Sequence, residues 1–374
     1  MRFIILFGVF LTFMGVMNFY VYRRFLRKLS HVPHFLAWLI PAVLMLGELL
    51  FVIELLTHSL VKTAWLYSTL SATVGITFLL FVIAIAYDMI VTASSKVPIN
   101  QERRQFIKVI FDITILIAAF SYLVRGLADG LRFPPVKSVD VSIRDFPFDE
   151  FTIVQLSDVH VGRTIQKDFI DYLVNRTNKL NPGLVVITGD LLDLPVSMLG
   201  DHLEPLKNIK APIYFVLGNH EYFHGAERII EYLRTLGIMP LLNDSVLIGN
   251  AEKGFHLIGV NDLTGTRMGY LQHDVEKAYS IVNEQKPCVV LSHQPKSISL
   301  FEGKRCDLML SGHTHGGQIF PFGLLVMIDQ PYLAGLYQHS ENTQVFVSRG
   351  AGYWGPPIRV LAPNEISHLR IRPA

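Results

Sequence analysis

Leu184-Val185-Val186-Ile187-Thr188-Gly189-Asp190 decides how this chain is read. A short run rich in β-branched residues, with no polar alternation, marks a strand buried on both faces. It ends in a glycine and then a carboxylate. The same grammar recurs on either side. Asp158 and His160 follow Ile153-Val154-Gln155-Leu156, and Asn219 follows Ile213-Tyr214-Phe215-Val216-Leu217-Gly218. His293 follows Val289-Val290-Leu291-Ser292, and His313 and His315 follow Leu308-Met309-Leu310-Ser311-Gly312. Each donor stands where a strand would hand the chain to a loop. Open α/β folds gather their sites at the carboxyl ends of strands.

Between these runs lie amphipathic stretches. Phe169, Ile170, Leu173, Val174 and Leu180 recur at helical spacing across 168–180, and Asn181-Pro182-Gly183 stops the pattern. Residues 226–236 and 273–284 read as further helices. β-like runs occupy 139–144, 255–260, 345–348 and 366–371. Strands before and after helices predict an α/β fold with two packed sheets. Residues 153–162 and 308–317 echo each other: an apolar run, a serine, two donors one residue apart, then glycine. The echo hints at two similar halves facing one site.

The first third has another character. The chain has 374 residues and 17% charged residues, with a mean hydropathy of +0.38. The apolar excess lies before residue 130. Four apolar stretches, near 3–22, 35–56, 64–91 and 106–124, are long enough to cross a bilayer, which needs roughly 20 residues. The first has no small-residue cleavage site after it and reads as a retained span. Arg23, Arg24, Arg27 and Lys28 follow it. Lys96, Arg103 and Arg104 mark the third loop, with Lys108 just inside the next span, against Lys62 alone in the second loop. The positive-inside rule puts loops one and three in the cytoplasm and the carboxyl-terminal domain outside. The expected place is the plasma or inner membrane, as a multi-pass protein. Glu48 and Asp112 lie in or near the spans and read either as functional carboxylates or as interhelical partners. Glu54 reads as a helix-end group. Few spans and no broken-helix pair argue against a transporter.

The expected organisation is a four-helix transmembrane domain over 1–130, a linker with a first strand over 131–149, and a second domain over 150–374. A net charge of +2 offers no global basic field for nucleic acid. Cys288 and Cys306 make no disulfide framework and read as buried free thiols.

Carboxylates, imidazoles and a neutral amide at strand ends suit a pair of divalent cations. Such pairs, about 3.5–4 Å apart, clamp a phosphoryl group and activate a water. A lone Asp or His at a strand end is more often a cap or a satisfied core group than a ligand. Five blocks together decide for the dinuclear reading. The donors accept several metals, because availability selects as much as affinity.

Over residues 150–372 the blocks Asp158-Val159-His160, Gly189-Asp190-Leu191-Leu192-Asp193, Gly218-Asn219-His220-Glu221, Ser292-His293-Gln294 and Gly312-His313-Thr314-His315 resemble the calcineurin-like metallophosphoesterases. The resemblance implies a four-layer α/β/β/α sandwich. It implies two divalent metal ions per chain, manganese first, with iron, zinc, magnesium or nickel as alternatives. Asp158, His160 and His315 would hold one, and Asn219, His293 and His313 the other, with Asp190 bridging. His220 would protonate the leaving oxygen, oriented by Asp193, while a metal-bridging hydroxide attacks phosphorus directly.

The wording Gly-Asn-His-Glu-Tyr and Gly-His-Thr-His-Gly-Gly-Gln is similar to a bacterial membrane-associated branch. So is Ser348-Arg349-Gly350-Ala351-Gly352. Relatives there hydrolyse phosphodiesters or the pyrophosphate of UDP-2,3-diacylglucosamine. Arg163, His224 and Arg349 are candidate substrate contacts, by pairing with phosphate oxygens, with a surface role as the plain alternative. Glu221, Tyr222 and Arg359 read as structural. Gly350–Gly355 meets Pro356-Pro357 and is no dinucleotide fingerprint; Tyr353 and Trp354 fit a substrate-side or membrane-surface loop. Residues 320–325 read as buried packing, with an acyl-chain lid as the alternative. The expected function is a membrane-bound dimetal phosphoesterase acting on a phosphodiester or pyrophosphate of a lipid-associated substrate. The competing reading is a non-catalytic receptor or scaffold, which lost ligands would favour; none is lost.

Overall fold

The computed structural model describes residues 2–29, 32–57, 61, 63–95, 98 and 100–374. The chain divides into two units, Met1–Leu131 with Gly355–Val360, and Arg132–Trp354 with Leu361–Ala374.

Among the described residues the first unit holds four α-helices: α1 (Arg2–Tyr20), α2 (His34–Thr57), α3 (Ala64–Ser94) and α4 (Gln101–Leu131). Among the described residues, α2, α3 and α4 are long and apolar enough to cross a bilayer. The first expected span coincides with α1, where side chains of Arg2, Phe3, Ile4 and Leu6 lie outside the described residues. After it the chain widens into a π-helical turn, Val21–Phe25. Lys62 and Lys96, used in the loop-charge argument, also lie outside the described residues. The segment 355–360 joins this unit through an Arg359 N–H that donates to the Gly126 carbonyl at 2.9 Å. Arg359 itself is fully buried.

The second unit has two six-stranded sheets. The strands are β1 (Val136–Ile143), β2 (Phe151–Leu156), β3 (Leu184–Thr188), β4 (Ile213–Val216), β5 (Met239–Pro240) and β6 (Asp244–Gly249), then β7 (Gly254–Gly259), β8 (Cys288–Leu291), β9 (Leu308–Ser311), β10 (Gly335–Gln338), β11 (Gln344–Val347) and β12 (Ile366–Pro373). One sheet runs β1-β12-β2-β3-β4-β5 and the other β10-β11-β9-β8-β7-β6. The stretch read as linker and first strand supplies β1, which pairs in parallel with β12.

Alternation along each strand builds the layers. Leu184 and Val186 of β3 meet Leu257, Leu291 and Leu310 of the other sheet. Val185 and Ile187, one residue out of phase, face α5 (Lys167–Leu180) and, past α6 (Asn219–His224), α7 (Ala226–Thr235). On the far side Val290, Met309 and Val345 pack with Ile298 and Phe301. Both faces of the central strands are covered, which is why their sequence shows no polar alternation. The result is the four-layer sandwich. Cys288 and Cys306 are both free and buried.

Two expectations need correction here. The helix expected over 273–284 shrinks; it follows α8 (Leu263–Met268), and within it α9 (Val275–Ala278) alone is helical. Past it the backbone bonds tighten to three-residue turns, as in Ser280 N–H to Lys277 and Val282 N–H to Tyr279. The Tyr279 ring is buried instead, its hydroxyl donating to Arg305 O. Residues 320–325 are not buried packing: they lead into α10 (Gly323–Asp329), and Phe320, Phe322, Leu324 and Leu325 are exposed.

Candidate metal centre

The candidate ligands follow β2, β3, β4, β8 and β9, in turns except for Asn219, which opens α6. Five of the seven hold left-handed backbone: φ is 51° at Asp158, 55° at His160, 49° at Asp190, 70° at His313 and 50° at His315. Such conformations in non-glycine residues cost about 1–3 kcal/mol each and persist only where the surroundings enforce them. Here the surroundings are hydrogen bonds. Both Asp158 oxygens accept the His313 N–H, at 2.9 and 3.1 Å, so the turn after β2 in one sheet is locked to the turn after β9 in the other. Glu221 clamps the turn after β3. Its carboxylate accepts N–H bonds from Gly218 at 2.7 Å, Asp190 at 3.0 Å and Leu191 at 2.8 Å. Glycines admit the close contacts. A Cβ on Gly312 would lie 2.2 Å from Asp158 Oδ2, and one on Gly218 2.2 Å from Asp190 Oδ1.

The donors gather into triads. Atoms of Asp158, His160 and His315 lie within 4.8 Å of one another, as do those of Asp190, His293 and His313. His160 Nε2 is 3.1 Å from His315 Nε2, and His315 Nε2 is 3.4 Å from Asp158 Oδ1. In the second group His293 Nε2 stands 3.2 Å from Asp190 Oδ2, 3.1 Å from Asn219 Oδ1 and 3.2 Å from His313 Nδ1. Asp190 also joins the groups through its backbone, since the His160 N–H donates to its carbonyl at 3.1 Å.

Outer contacts fix which ring nitrogens face inward. His293 Nδ1 lies 2.8 Å from Thr188 O, an acceptor only, so it carries the proton and leaves Nε2 as the donor. His160 Nδ1 is 2.7 Å from Asp193 Oδ1, which exposes its Nε2 in the same way. Asp193 Oδ1 also lies 2.8 Å from His220 Nδ1. One carboxylate therefore orients two imidazoles, where the sequence suggested one. His220 Nε2 is left near the site, 3.9 Å from Asp190 Oδ2.

The electrostatics fit a cation. Burial raises the Asp158 carboxyl, the sign of an anion short of positive partners. Burial and the adjacent His293 push His313 down to about 4, keeping its lone pair free. Burial opposes charge on His293, yet Asp190 raises it well above its usual value. That proton would be displaced by a bound cation, as metal binding requires. Burial likewise opposes charge on His220, but Asp190 and Asp193 carry it to about 9. Burial works against ionised Asp193 too, and His160 and His220 hold it well below the carboxylate range. The inward atoms of Asp158, His160, His315, His293 and His313 stand 3.1–3.4 Å from one another in pairs, with more acceptors than protons to share, a spacing that suits a divalent ion. The donor set thus fits the metals that the chemistry requires.

A cavity of about 350 Å³ opens beside Asn219 and His313, lined also by Phe223, Arg267, Lys296 and Asp329. Arg267 and Lys296 escaped the sequence reading, because single cations on unremarkable surface stretches carry no pattern. His224 lies near, its ring 6.1 Å from that of His220. Arg163 is half-buried in the turn after the Val161–Leu192 bridge. Arg349 lies against Gly316, beside His315, but its Nη1 donates to Glu365 at 3.1 Å. That nitrogen is engaged in an ion pair rather than held open for a phosphate. Tyr353 is in the core, against the substrate-side reading. Trp354 is exposed, with its ring 5.8 Å from His220.

The model of the calcineurin-like phosphoesterase family matches residues 151–317. An uncharacterized metallophosphoesterase of Helicobacter pylori is 37% identical over 372 residues, covering 97% of each chain. The chain belongs to the calcineurin-like phosphoesterases. A second uncharacterized metallophosphoesterase, from Campylobacter jejuni, is 34% identical over 378 residues, covering 100% of this chain and 99% of that one. A Danio rerio protein named as a transmembrane protein with a metallophosphoesterase domain is 35% identical over 274 residues, 70% of this chain and 63% of its own. Among solved structures, a dimetal phosphatase from Danio rerio aligns with a TM-score of 0.37 and 14% identity, covering 55% of this chain and 89% of that one. As a member of this family, the chain is a metal-dependent hydrolase of phosphate esters. Its apolar helices and its transmembrane-named relatives associate it with a membrane.

Proposed function

We propose that this metallophosphoesterase is a multi-pass membrane enzyme that cleaves a phosphodiester or pyrophosphate carried by a lipid. The observation that carries the chemistry is the convergence of inward donors from five strand ends on one buried spot. Asp158, His160 and His315 would hold one divalent cation and Asn219, His293 and His313 a second, with the Asp190 carboxylate between them. Manganese is the first choice, then iron, zinc, magnesium or nickel. When bound, the pair supplies Lewis acidity at the phosphoryl oxygens and an activated water.

The chain's own residues do the rest. His220, protonated and held at Nδ1 by Asp193, presents its Nε2 proton to the leaving oxygen. Asp193 keeps His160 turned inward at the same time. Arg163 and His224 are the remaining candidates to meet substrate oxygens. Membrane helices on the same chain support a substrate held in the bilayer. The loop cations support loops one and three lying on one side, the cytoplasm: Lys108 Nζ donates to the Lys28 carbonyl at 2.7 Å. In this arrangement the catalytic unit faces out.

The test uses purified full-length protein with each metal against bis(p-nitrophenyl) phosphate, p-nitrophenyl phosphate and a panel of phospholipids and lipid diphosphates. Turnover of the bis-ester and of one lipid, with little of the monoester, is the expected result. Absence of turnover with every metal sinks the enzymatic reading. Protease accessibility of a carboxyl-terminal tag from outside the cell checks the sidedness.

A further inference from the structure

The exposed apolar side chains of the catalytic unit are not evenly spread. Phe320, Phe322, Leu324, Leu325, Met327 and Ile328 fall within nine residues and are 44–82% exposed. No charged residue interrupts 319–328. In α10, Leu324, Leu325, Met327 and Ile328 sweep most of the helix circumference, and only Gly323, packed on Leu333, is buried. A water-facing helix shows the reverse pattern, with one apolar stripe turned inward. Contiguous apolar surface of this kind marks an interaction site.

Two observations say what covers it. Among the described residues the same chain carries three helices long and apolar enough to cross a bilayer, so a lipid surface is an available partner. The ridge also ends at the catalytic cavity: Asp329, the last residue of α10, lines it together with Asn219 and His313. Lys296, in that cavity, holds Asp329 at 2.7 Å. Short apolar helices that lie in the plane of a leaflet bury their side chains at the headgroup–acyl boundary.

We infer that the ridge 320–328 docks into the hydrocarbon boundary of a lipid leaflet and seats the acyl chains of the substrate while the phosphate enters the cavity. The inference rests on the lipid-linked reading above. In a phospholipid or lipid diphosphate the phosphate lies close to the root of its chains, which matches a cavity with an apolar shoulder.

The experiment uses the full chain in lipid nanodiscs. The triple variant Leu324→Ser, Leu325→Ser, Ile328→Ser alters only exposed positions. Its ratio of lipid-phosphodiester turnover to bis(p-nitrophenyl) phosphate turnover is expected to fall at least tenfold. A ratio within threefold of the parent overturns the inference. An independent arm covers misfolding of the triple variant or absence of all turnover. Ile328→Cys is labelled with a fluorophore, since Cys288 and Cys306 are buried. Lipids brominated along their chains are expected to quench it at least twofold more than a label on Ser340→Cys, at an exposed site. Equal quenching overturns the proposal. So does self-association in detergent that the triple variant abolishes, with the label at 328 shielded yet unquenched, because the ridge then meets a second copy. Loss of all turnover with strong quenching at 328 would instead fault the hydrolytic reading and leave the docking intact.

Discussion

Both units bury polar groups, and they settle them in opposite ways. In the helical unit donors meet acceptors. Asn18 Nδ2 donates to both Glu48 oxygens at 3.1–3.2 Å, and Thr77 donates to Glu48 Oε1. Asp112 accepts from the Tyr87 hydroxyl at 2.9 Å and from Lys108 at 2.7 Å, while Asp88 is held by Arg24 and Lys28. Glu54 accepts the Val61 N–H at 2.9 Å. In the catalytic unit acceptors outnumber the protons that could satisfy them. His293 Nε2 confronts the inward atoms of Asp190, Asn219 and His313, and His160 faces His315. A cluster that satisfies itself ties helices together; one that cannot do so calls for a cation. This contrast decides the two carboxylates the sequence left open: Glu48 and Asp112 are interhelical partners.

The contrast can be broken most severely at Asp190. Asp190→Ala should abolish measurable turnover, a loss beyond the roughly 10–100-fold that outer-shell partners cost. It should also lower the metal content per chain, read by elemental analysis. Retention of both metals would disprove its place between them. Chelation should do the same to activity reversibly. It should also lower the melting temperature of the catalytic unit by about 5–10 °C, if ligation at a hundredfold excess over Kd is worth about 2.7 kcal/mol. An unchanged melting curve would mean the donors need no ion.

Next comes His220→Ala. It should cut kcat by about 10²–10⁴-fold with metal content intact, because the group moves a proton rather than holding an ion. Loss of metal in this variant would reassign it as a ligand. Asp193→Asn should cost about 10–100-fold and reduce metal affinity as well, since the same oxygen orients His160. A purely kinetic effect would restrict Asp193 to His220. Smallest of all is Glu48→Gln. The amide keeps the shape of the Asn18–Thr77 cluster, so turnover should change less than twofold and stability by about 1 kcal/mol. A large activity loss there would give the helical unit a function beyond anchoring.

The donors and their strands were legible because each strand is short, buried on both faces and ended by its own ligand. Residues 184–190 carry that message within seven positions. The echo between 153–162 and 308–317 was legible too, and its meaning emerges in the backbone: both donor pairs are left-handed at both positions. The helix expected over 273–284 failed because its apolar spacing also fits tight turns against a buried tyrosine. Residues 320–325 misled because apolarity in a sequence does not say which way a side chain faces. Glu221 could be read only as structural; that it holds three amides of two turns is a fact of distance.

The sequence by itself determined which atoms are available: seven candidate metal donors, an imidazole able to carry a proton, and apolar helices long enough for a bilayer. Those are matters of residue type, local periodicity and run length. Only the tertiary structure decided how they are used, that Asp193 serves two imidazoles, that Arg349 turns to Glu365, and that an apolar ridge stands open beside the cavity. The physical reason is that lone-pair direction, ion pairing and solvent exposure depend on neighbours that the fold brings together, from 16 residues away at Arg349–Glu365 to 155 at His160–His315.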